Sequence, residues 1–299
     1  MSNPYYREYS DFLAEVFPGG KVQKLSINAG FSCPNRDGSK GYGGCVYCNN
    51  HSFSPEYTAT TPGDVAEQLE RGRGFFARKY SNMRYLAYFQ SYTGTYSDID
   101  RLMPLYEAAI APDDVVGLVI GTRPDCMPDA LLSELVRLNR TKTVMIEYGV
   151  ESSHDSTLRL INRCHTWAES ADALSRTLDA GLYTGAHLIM GLPGETEDMM
   201  METVERMALL HPHLLKFHQL QILRGTRLAA QADSIPVFTL DEYLDLCVRI
   251  VRRLGDTGIC IDRFAASSPS AMLIAPRWGL KNYEFTNLLH RRLQLLREL

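Results

Sequence analysis

VVGLVIGTRPDCMPDALLSELVRLNRTKTVMIEYGV, residues 115–150, contains two apolar runs of strand length separated by one helical segment. Within the runs Val115–Ile120 and Thr143–Val150, almost uninterrupted apolar residues are typical of parallel strands that are buried on both faces. Between the runs, residues 128–138 carry apolar residues at helical spacing. The stretch therefore predicts a strand–helix–strand unit with two parallel strands.

The same alternation continues on both sides of this unit. Further strands are predicted at 22–27, 85–90, 184–190 and 214–223, and further helices from Thr61 onward and at about 97–110, 167–180 and 196–210. Six strands that alternate with helices are typical of a parallel α/β sheet, either an open wound sheet or a partial barrel. We predict that residues 1–225 form this core domain.

After residue 225 the pattern changes. Thr239 and Glu242 have the spacing of a capping box for a helix that reaches about Leu254. A short strand at Ile259–Arg263 and a last helix from about Asn282 follow. Residues 226–299 are therefore predicted to be an α/β extension that packs on the core domain.

The composition excludes several classes of protein. The chain has 299 residues, of which 45% are apolar and 22% charged, with a formal net charge of −4, as in an ordinary globular protein. Its overall field does not attract nucleic acid, so an RNA partner needs a local basic patch. No run of 18 apolar residues and no N-terminal apolar signal segment occurs, which predicts a cytoplasmic protein without membrane contact.

Three of the seven cysteines form a compact motif directly after the first predicted strand. FSCPNRDGSKGYGGCVYCNN, residues 31–50, places Cys33, Cys45 and Cys48 at a C-x11-C-x2-C spacing. Clustered cysteines in a reducing compartment more often bind metal than form disulfides. On spacing alone two sites remain open: zinc, with His51 completing a Cys3His set, or an iron–sulfur cluster with three thiolates and one open iron.

The motif resembles the radical S-adenosylmethionine (SAM) superfamily, in which three cysteines follow the first strand of a partial barrel. The usual spacing there is C-x3-C-x2-C, and the longer first gap here resembles the YhcC/YtqA branch, as does APRWGLKN at 275–282. The resemblance implies an α/β fold, a partial (β/α)6 TIM-like barrel of radical SAM type with a C-terminal α/β extension. It also implies a [4Fe–4S] cluster on the three cysteines, SAM as cofactor, and an electron donor of flavodoxin or ferredoxin type.

Segments at the ends of other strands resemble SAM-binding segments of related enzymes, coproporphyrinogen dehydrogenase and the Elongator catalytic subunit. In GVESSHDSTLRLINRCHT (149–166), Glu151 is implied at the SAM sugar and Arg163 at the methionine carboxylate, a contact that a guanidinium makes bidentately. In HLIMGLPGET (187–196), His187 takes the place of an acidic ribose contact, and Met190 is implied to pack on adenine.

Two further strand ends carry polar side chains. FQSYTGTY (89–96) stands where relatives have a glycine-rich stretch around the methionine amino group, so Gln90 and Thr93 are candidate contacts for the amine or for substrate. In GTRPDC (121–126), Arg123 and Asp125 either face the pocket or pair with each other.

The resemblance to the Elongator catalytic subunit implies transfer RNA as partner, with a wobble-uridine side chain as the modified group. The segment RGRGFFARKYSNMR (71–84) has five basic residues, no acidic ones and interleaved aromatics. This composition suits phosphate contact and base stacking, but also the solvated face of a barrel helix. A radical SAM enzyme acting on a small molecule or peptide, and a zinc-stabilised RNA-binding module without catalysis, are the alternatives.

Overall fold

The computed structural model describes residues 3–53, 55, 57, 58, 64–77 and 83–296, without the side chains of residues 51 and 53. Its strands are β1 Arg7–Glu8, β2 Val22–Ile27, β3 Arg84–Phe89, β4 Val115–Thr122, β5 Thr143–Glu151, β6 Tyr183–Met190, β7 Leu214–Gln219, β8 Ile222–Leu223, β9 Cys260–Arg263 and β10 Leu273–Ala275. Its α-helices are α1 Tyr9–Val16, α2 Val65–Ala77, α3 Ile99–Ile110, α4 Asp129–Asn139, α5 Asp155–Leu160, α6 Trp167–Asp179, α7 Glu197–Leu210, α8 Leu240–Leu254 and α9 Asn282–Leu295.

Eight of these strands form one curled parallel sheet in the order β1-β9-β7-β6-β5-β4-β3-β2. From β2 to β7 the spatial order follows the order along the chain, because each strand is connected to the next by a helical crossover. This arrangement confirms the predicted partial (β/α)6 barrel of radical SAM type.

The extension continues the sheet. Its strand β9 pairs in parallel with β7, and the N-terminal strand β1 pairs in turn with β9. The capping box predicted at Thr239 and Glu242 is present at the start of α8. The division of the chain at residue 225 stays a prediction.

The predicted strand 214–223 is wrong in one respect, because the chain leaves the sheet after Gln219. The backbone N–H of Leu220 donates to the carbonyl of Met190, and β8 then pairs antiparallel with β10 in a separate two-stranded sheet. No glycine or proline lies in this run, so its composition does not reveal the break. The break turns the chain across the mouth of the half-barrel.

The start of α2 also differs from the prediction. Thr61 lies outside the described residues, and the helix begins at Val65. The carboxylate of Asp64 accepts the backbone N–H of Glu67 at 3.1 Å, so Asp64 caps this helix.

Alternation along β4 illustrates how the two faces of the sheet are used. Leu118 and Ile120 pack in the large core between the sheet and the helices, whereas Val119 points to the inside of the curl. There it packs in a smaller cluster with Phe12 of α1 and Met145 of β5. This apolar plug closes the lower end of the half-barrel and leaves the carboxyl ends of the strands open. No described helix is long and apolar enough to cross a membrane.

Candidate functional site

The carboxyl ends of the parallel strands surround a cavity of about 410 Å³. All three motif cysteines line it. Five of the six other residues predicted at the site also line it: Gln90, Thr93, Glu151, Arg163 and His187. Because the carboxyl edge is where parallel α/β proteins place their active sites, the cavity is the candidate active site.

The cysteine loop is held by its own backbone. The carbonyl of Cys33 accepts the N–H of Arg36 at 2.8 Å, and the N–H of Cys48 donates to the carbonyl of Cys45 at 3.1 Å. Gly44 has a φ of +72°, a conformation that side chains other than glycine adopt at a cost. The glycines of this loop therefore allow the chain to turn tightly between the cysteines.

A second segment of the chain clamps this loop. The side-chain amide of Asn35, fully buried, donates to the carbonyl of Asn162 and lies 3.5 Å from Sγ of Cys45. In return, Nδ2 of Asn162 donates to the carbonyl of Gly44 at 2.9 Å. Sequence reasoning missed both asparagines, although Asn35 belongs to the quoted cysteine motif.

Arg163 is buried at the junction of this clamp and the end of β5. Its Nη2 donates to the carbonyl of Gly149 at 2.5 Å and lies 3.5 Å from Oε1 of Glu151, while Nη1 lies 3.6 Å from Sγ of Cys45. A Cβ at position 149 would lie 2.6 Å from Nη2, so only glycine leaves room for the guanidinium. Burial opposes the charge of Arg163, but its interactions with Tyr47, Cys45 and Glu151 raise its pKa well above the ordinary value.

Gln90 and Thr93 follow the end of β3. Oε1 of Gln90 accepts a hydrogen bond from the hydroxyl of Ser26 at 3.1 Å. Thr93 is fully buried, and its hydroxyl has no hydrogen-bond partner among the described residues. A buried hydroxyl without a partner is rare, so Thr93 is placed to contact a polar ligand.

The two residues predicted on β6 are placed on opposite faces. His187 lines the cavity, with Nε2 2.8 Å from Oε2 of Glu147. Met190 does not line the cavity, because it is buried in the core between sheet and helices. Ile189, two residues after His187 and therefore on the same face, lines the cavity instead.

Beneath the cavity lies a buried cluster of charges that sequence reasoning missed. Nζ of Lys24 lies 2.5 Å from Glu147 and 3.1 Å from Asp262, and Nζ of Lys216 lies 3.4 and 3.9 Å from the same two carboxylates. The hydroxyl of Tyr88 donates to Glu147 at 2.8 Å. A lysine or glutamate inside an otherwise apolar strand, as in LLKFHQ at 214–219, was the available signal.

The protonation of this cluster follows from burial and pairing. Burial would raise the pKa of Glu147, but the charges of Lys216 and Lys24 and the hydrogen bond of His187 hold it well below the ordinary value. Burial lowers the pKa of Lys216 to about 8, although Glu147 and Asp262 oppose the shift. Burial and the charge of Lys216 lower the pKa of His187, so its imidazole is neutral at pH 7.

Of the two residues that either face the cavity or pair with each other, Arg123 does both, whereas Asp125 does not line the cavity. Arg123 lines the cavity, and it also forms two hydrogen bonds of 2.9 Å to the carboxylate of Asp125. Burial would raise the pKa of Asp125, but the hydrogen bonds and charges of Arg123 and Lys40 outweigh it and lower the pKa to about 2. Nη1 of Arg123 is buried without a partner among the described residues.

The basic segment 71–84 does not form a free positive patch where it is described. Arg71 pairs with Glu67 at 2.5 Å, and Arg73 pairs with Glu70 and, through two nitrogens at 2.6 and 2.7 Å, with Asp114. Residues 78–82 of this segment, like Arg297, lie outside the described residues. The described arginines of α2 therefore favour a solvated helix face.

Comparison with models of known protein families identifies the family of this chain. The model of the radical SAM superfamily matches residues 32–207, and that of the radical SAM C-terminal domain matches residues 212–294. The chain belongs to the radical SAM superfamily. It is a radical SAM enzyme, and its cofactors are a [4Fe–4S] cluster and SAM.

Within the superfamily, the chain is similar to two bacterial proteins over most of their length. It is 32% identical to YtqA of Bacillus subtilis, over 97% of this chain and 89% of that protein. It is 37% identical to YhcC of Escherichia coli K12, over 87% of this chain and 83% of that protein. The predicted YhcC/YtqA branch is thus confirmed.

More distant similarities extend to proteins of tRNA modification. The chain is 28% identical to the tRNA uridine(34) acetyltransferase of Methanocaldococcus infernus over 116 residues, which are 38% of this chain and 21% of that protein. The solved structure of Elp3 from Methanocaldococcus infernus with an N-terminal deletion has a TM-score of 0.70 at 15% identity, and covers 92% of this chain and 63% of that one. The latter likeness concerns the fold.

The described residues fit the two cofactors. Three thiols, and no fourth cysteine, line the cavity in its described part, which is the donor set of a cluster with one open iron. Among the described residues, no group of three His, Cys, Asp or Glu side chains is close enough to hold a single metal ion. The side chain of His51, the fourth ligand of the zinc alternative, lies outside the description.

Buried polar atoms without partners mark the place of a polar ligand. Nε of Arg163, Nη1 of Arg123 and Oγ1 of Thr93 are all of this kind among the described residues, and all three side chains line the cavity. Such atoms cost free energy unless something binds them. The zwitterionic end of SAM, with one carboxylate and one ammonium group, has the matching chemistry.

Proposed function

We propose that the cavity binds SAM beside a cluster held by Cys33, Cys45 and Cys48, and that the enzyme modifies a transfer RNA at the wobble uridine. The observation that carries the cofactor site is the presence of three thiols and the unpartnered N–H groups of Arg163 and Arg123 in one cavity. When bound, the reduced cluster supplies one electron that splits SAM into methionine and a 5′-deoxyadenosyl radical, which abstracts hydrogen from substrate.

The two guanidiniums supply the contact for the SAM carboxylate. Arg123 and Arg163 are both buried and repel each other; burial and this repulsion oppose the charge of Arg123, but its hydrogen bonds and charge pairing with Asp125 hold its pKa above the ordinary value. An anion between them would relieve this repulsion and accept their free N–H groups, as charge-assisted hydrogen bonds do. Arg163 was expected in this role from the sequence, and Arg123 joins it.

Other lining residues are assigned by their chemistry. The free hydroxyl of Thr93 would accept a hydrogen bond from the ammonium group, and Gln90 lies in the same segment. The carboxylate of Glu151 would accept a hydrogen bond from a ribose hydroxyl. Because Met190 lies in the core, Ile189 is the apolar side chain for the adenine. His187, bound to Glu147, then faces substrate more than ribose.

The tRNA substrate is supported by the partial similarity to the tRNA uridine(34) acetyltransferase and by the surface around the cavity mouth. Arg36, Arg224 and Arg227 are exposed there, and no carboxylate among the described residues lies within 4.0 Å of their guanidiniums. Arg36 stacks over Tyr92 at 5.7 Å, and Tyr42 on the cysteine loop is 77% exposed. Arginines without carboxylate partners and exposed aromatics suit phosphates and unstacked bases.

The test has two stages. Anaerobically purified enzyme should contain about four irons per chain and, with SAM and dithionite, release 5′-deoxyadenosine. Nucleosides of tRNA from a deletion strain should then lack one wobble-uridine derivative that the wild-type strain contains. Iron-free enzyme would contradict the cofactor site, whereas unchanged tRNA would favour a small-molecule or peptide substrate.

The reductant and the location are proposals of the same kind. An electron donor of flavodoxin or ferredoxin type would approach the exposed face of the cysteine loop. A cytoplasmic setting agrees with seven cysteines of which none forms a disulfide, because cysteines stay reduced in that compartment.

A further inference from the structure

Arg263 is the last residue of β9 and lines the cavity on the β7–β9 side of the sheet. Its Nη2 lies 3.2 and 3.4 Å from the two ring nitrogens of His218 on β7. Since a guanidinium only donates hydrogen bonds, at most one of the two ring nitrogens can accept from it at a time. Nε of Arg263 is buried and has no partner among the described residues.

The charges around Arg263 are already balanced without it. The ammonium groups of Lys24 and Lys216 face the carboxylates of Glu147 and Asp262, two against two. Among the described residues, no carboxylate lies within 4.0 Å of the Arg263 guanidinium. The balanced cluster thus leaves one uncompensated positive charge at this wall of the cavity.

The other buried guanidiniums of the cavity differ in this respect. Arg123 pairs with Asp125 at 2.9 Å, and Arg163 lies 3.5 Å from Glu151. Burial and the charge of Arg263 hold the pKa of His218 well below its ordinary value, so His218 does not add a second charge. A partly buried cation with a free N–H and a neutral neighbour is arranged to receive an anion.

We propose that Arg263, with His218 beside it, binds an oxyanion of the substrate, either a carboxylate or a phosphate, at the β7–β9 wall of the cavity. This inference rests on the proposed function, since it takes the cavity to be the substrate site. It places the reacting group between this wall and the SAM contacts of Arg123 and Arg163. A substrate without a negative group would leave Arg263 unpaired.

The test measures anion binding without knowledge of the substrate. Cluster-loaded enzyme with saturating SAM and no reductant is titrated with sodium acetate or sodium phosphate, and the unfolding temperature is compared with sodium chloride at equal ionic strength. SAM occupies the Arg123 and Arg163 contacts, so they do not compete for the added anion. Saturable stabilisation gives a dissociation constant for each anion, and the anion that binds distinguishes a carboxylate from a phosphate.

Substitutions of Arg263 test whether this residue binds the anion. Arg263→Gln should weaken binding of the effective anion at least about tenfold, because it removes the charge and the paired N–H donors. Arg252→Gln, which removes an exposed arginine of α8, is the matched control and should bind as wild type does. If Arg263→Gln does not fold, Arg263→Lys keeps the charge without the planar fork and should bind with intermediate strength.

Two results would overturn the proposal: neither anion stabilises the enzyme beyond chloride, or the Arg263 variants bind as tightly as wild type. Failure of the proposed function is recognised separately, because it appears as absent iron or absent stabilisation by SAM alone, before any anion is added.

Discussion

Nη1 of Arg163 lies 3.6 Å from Sγ of Cys45, and the same guanidinium donates through Nη2 to the carbonyl of Gly149. One buried cation therefore joins the cysteine loop to the end of β5. The contacts of Nη1 and Nη2 also fix the position of the free Nε of Arg163 in the cavity.

Arg163→Ala should weaken SAM binding about tenfold to a hundredfold, because it removes a charge-assisted contact worth about 1.5–3 kcal/mol. The three thiols remain, so iron content should stay near that of wild type. Equilibrium dialysis with SAM and an iron assay measure the two effects. Arg163→Lys should be intermediate, and unchanged SAM affinity in both variants would remove Arg163 from the cofactor site.

Gly149→Ala should act on the same contact without altering any charge. The new Cβ would lie 2.6 Å from Nη2 of Arg163 and 2.8 Å from Oε1 of Glu151, so both side chains must shift. We expect a clear loss of SAM affinity with iron retained. The control is Gly74→Ala in α2, where a Cβ meets nothing within 4 Å and helix propensity favours alanine by up to about 1 kcal/mol. Equal SAM affinity in the two variants would contradict the expectation.

Cys45→Ala should give a folded, colourless protein without the cluster. The apolar core lies between sheet and helices, so the loss of one thiol in the loop is local. Visible absorption, iron content and circular dichroism report the cluster and the fold. Cys164→Ala removes a half-buried thiol that does not line the cavity and should keep the iron. Full iron occupancy in Cys45→Ala would refute the ligand assignment.

The lowered pKa of Lys216 predicts how the free energy of unfolding depends on pH in alkaline solution. Its folded pKa of about 8 lies below the unfolded value of about 10.4, so between these values the unfolded chain binds more protons. Lys216 by itself should therefore raise the free energy of unfolding with pH through this window, by at most about 3 kcal/mol, whereas buried thiols such as Cys126, whose pKa burial raises, act in the opposite direction. Urea unfolding at pH 7.5 to 9.5 measures the part of the rise below the range in which tyrosines titrate.

The variants for this measurement are Lys216→Met and Lys142→Met. The first should lose the rise, while the second, whose ammonium group donates to the carbonyl of Pro112 on the outside of the barrel, should follow the wild-type curve. If the free energy of unfolding of wild type and of Lys216→Met changes equally with pH over this range, Lys216 stays charged and the expectation is refuted.

Arg224→Gln combined with Arg227→Gln should weaken tRNA binding and flatten its salt dependence. Each lost phosphate contact lowers the log–log slope by about 0.7–0.9. Arg71→Gln with Arg73→Gln removes the same charge from α2, where both arginines already pair with carboxylates, and should have little effect. Filter binding at two salt concentrations measures both. If tRNA binding is weakened more by the two α2 substitutions than by those at Arg224 and Arg227, RNA binds on the α2 face.

The sequence by itself determined the parts of the protein that depend on local pattern. The strands Val22–Ile27 and Thr143–Glu151 follow from apolar runs, and the start of α8 follows from the capping box at Thr239. The three cysteines stand within one loop, so their spacing and surrounding residues were sufficient to indicate the cluster. The alternation of strands and helices allowed an open wound sheet or a partial barrel, and the resemblance to the radical SAM superfamily implied the barrel.

Only the tertiary structure decided which distant side chains meet. Arg263 and His218 are 45 residues apart, and Lys24 and Glu147 are 123 apart, so no local pattern connects them. Whether Met190 or Ile189 faces the cavity depends on the phase of a two-residue alternation, which the apolar run 188–190 does not reveal. The curl of the parallel sheet brings these side chains to one interior, where low polarity makes every unpaired charge and every free N–H group costly.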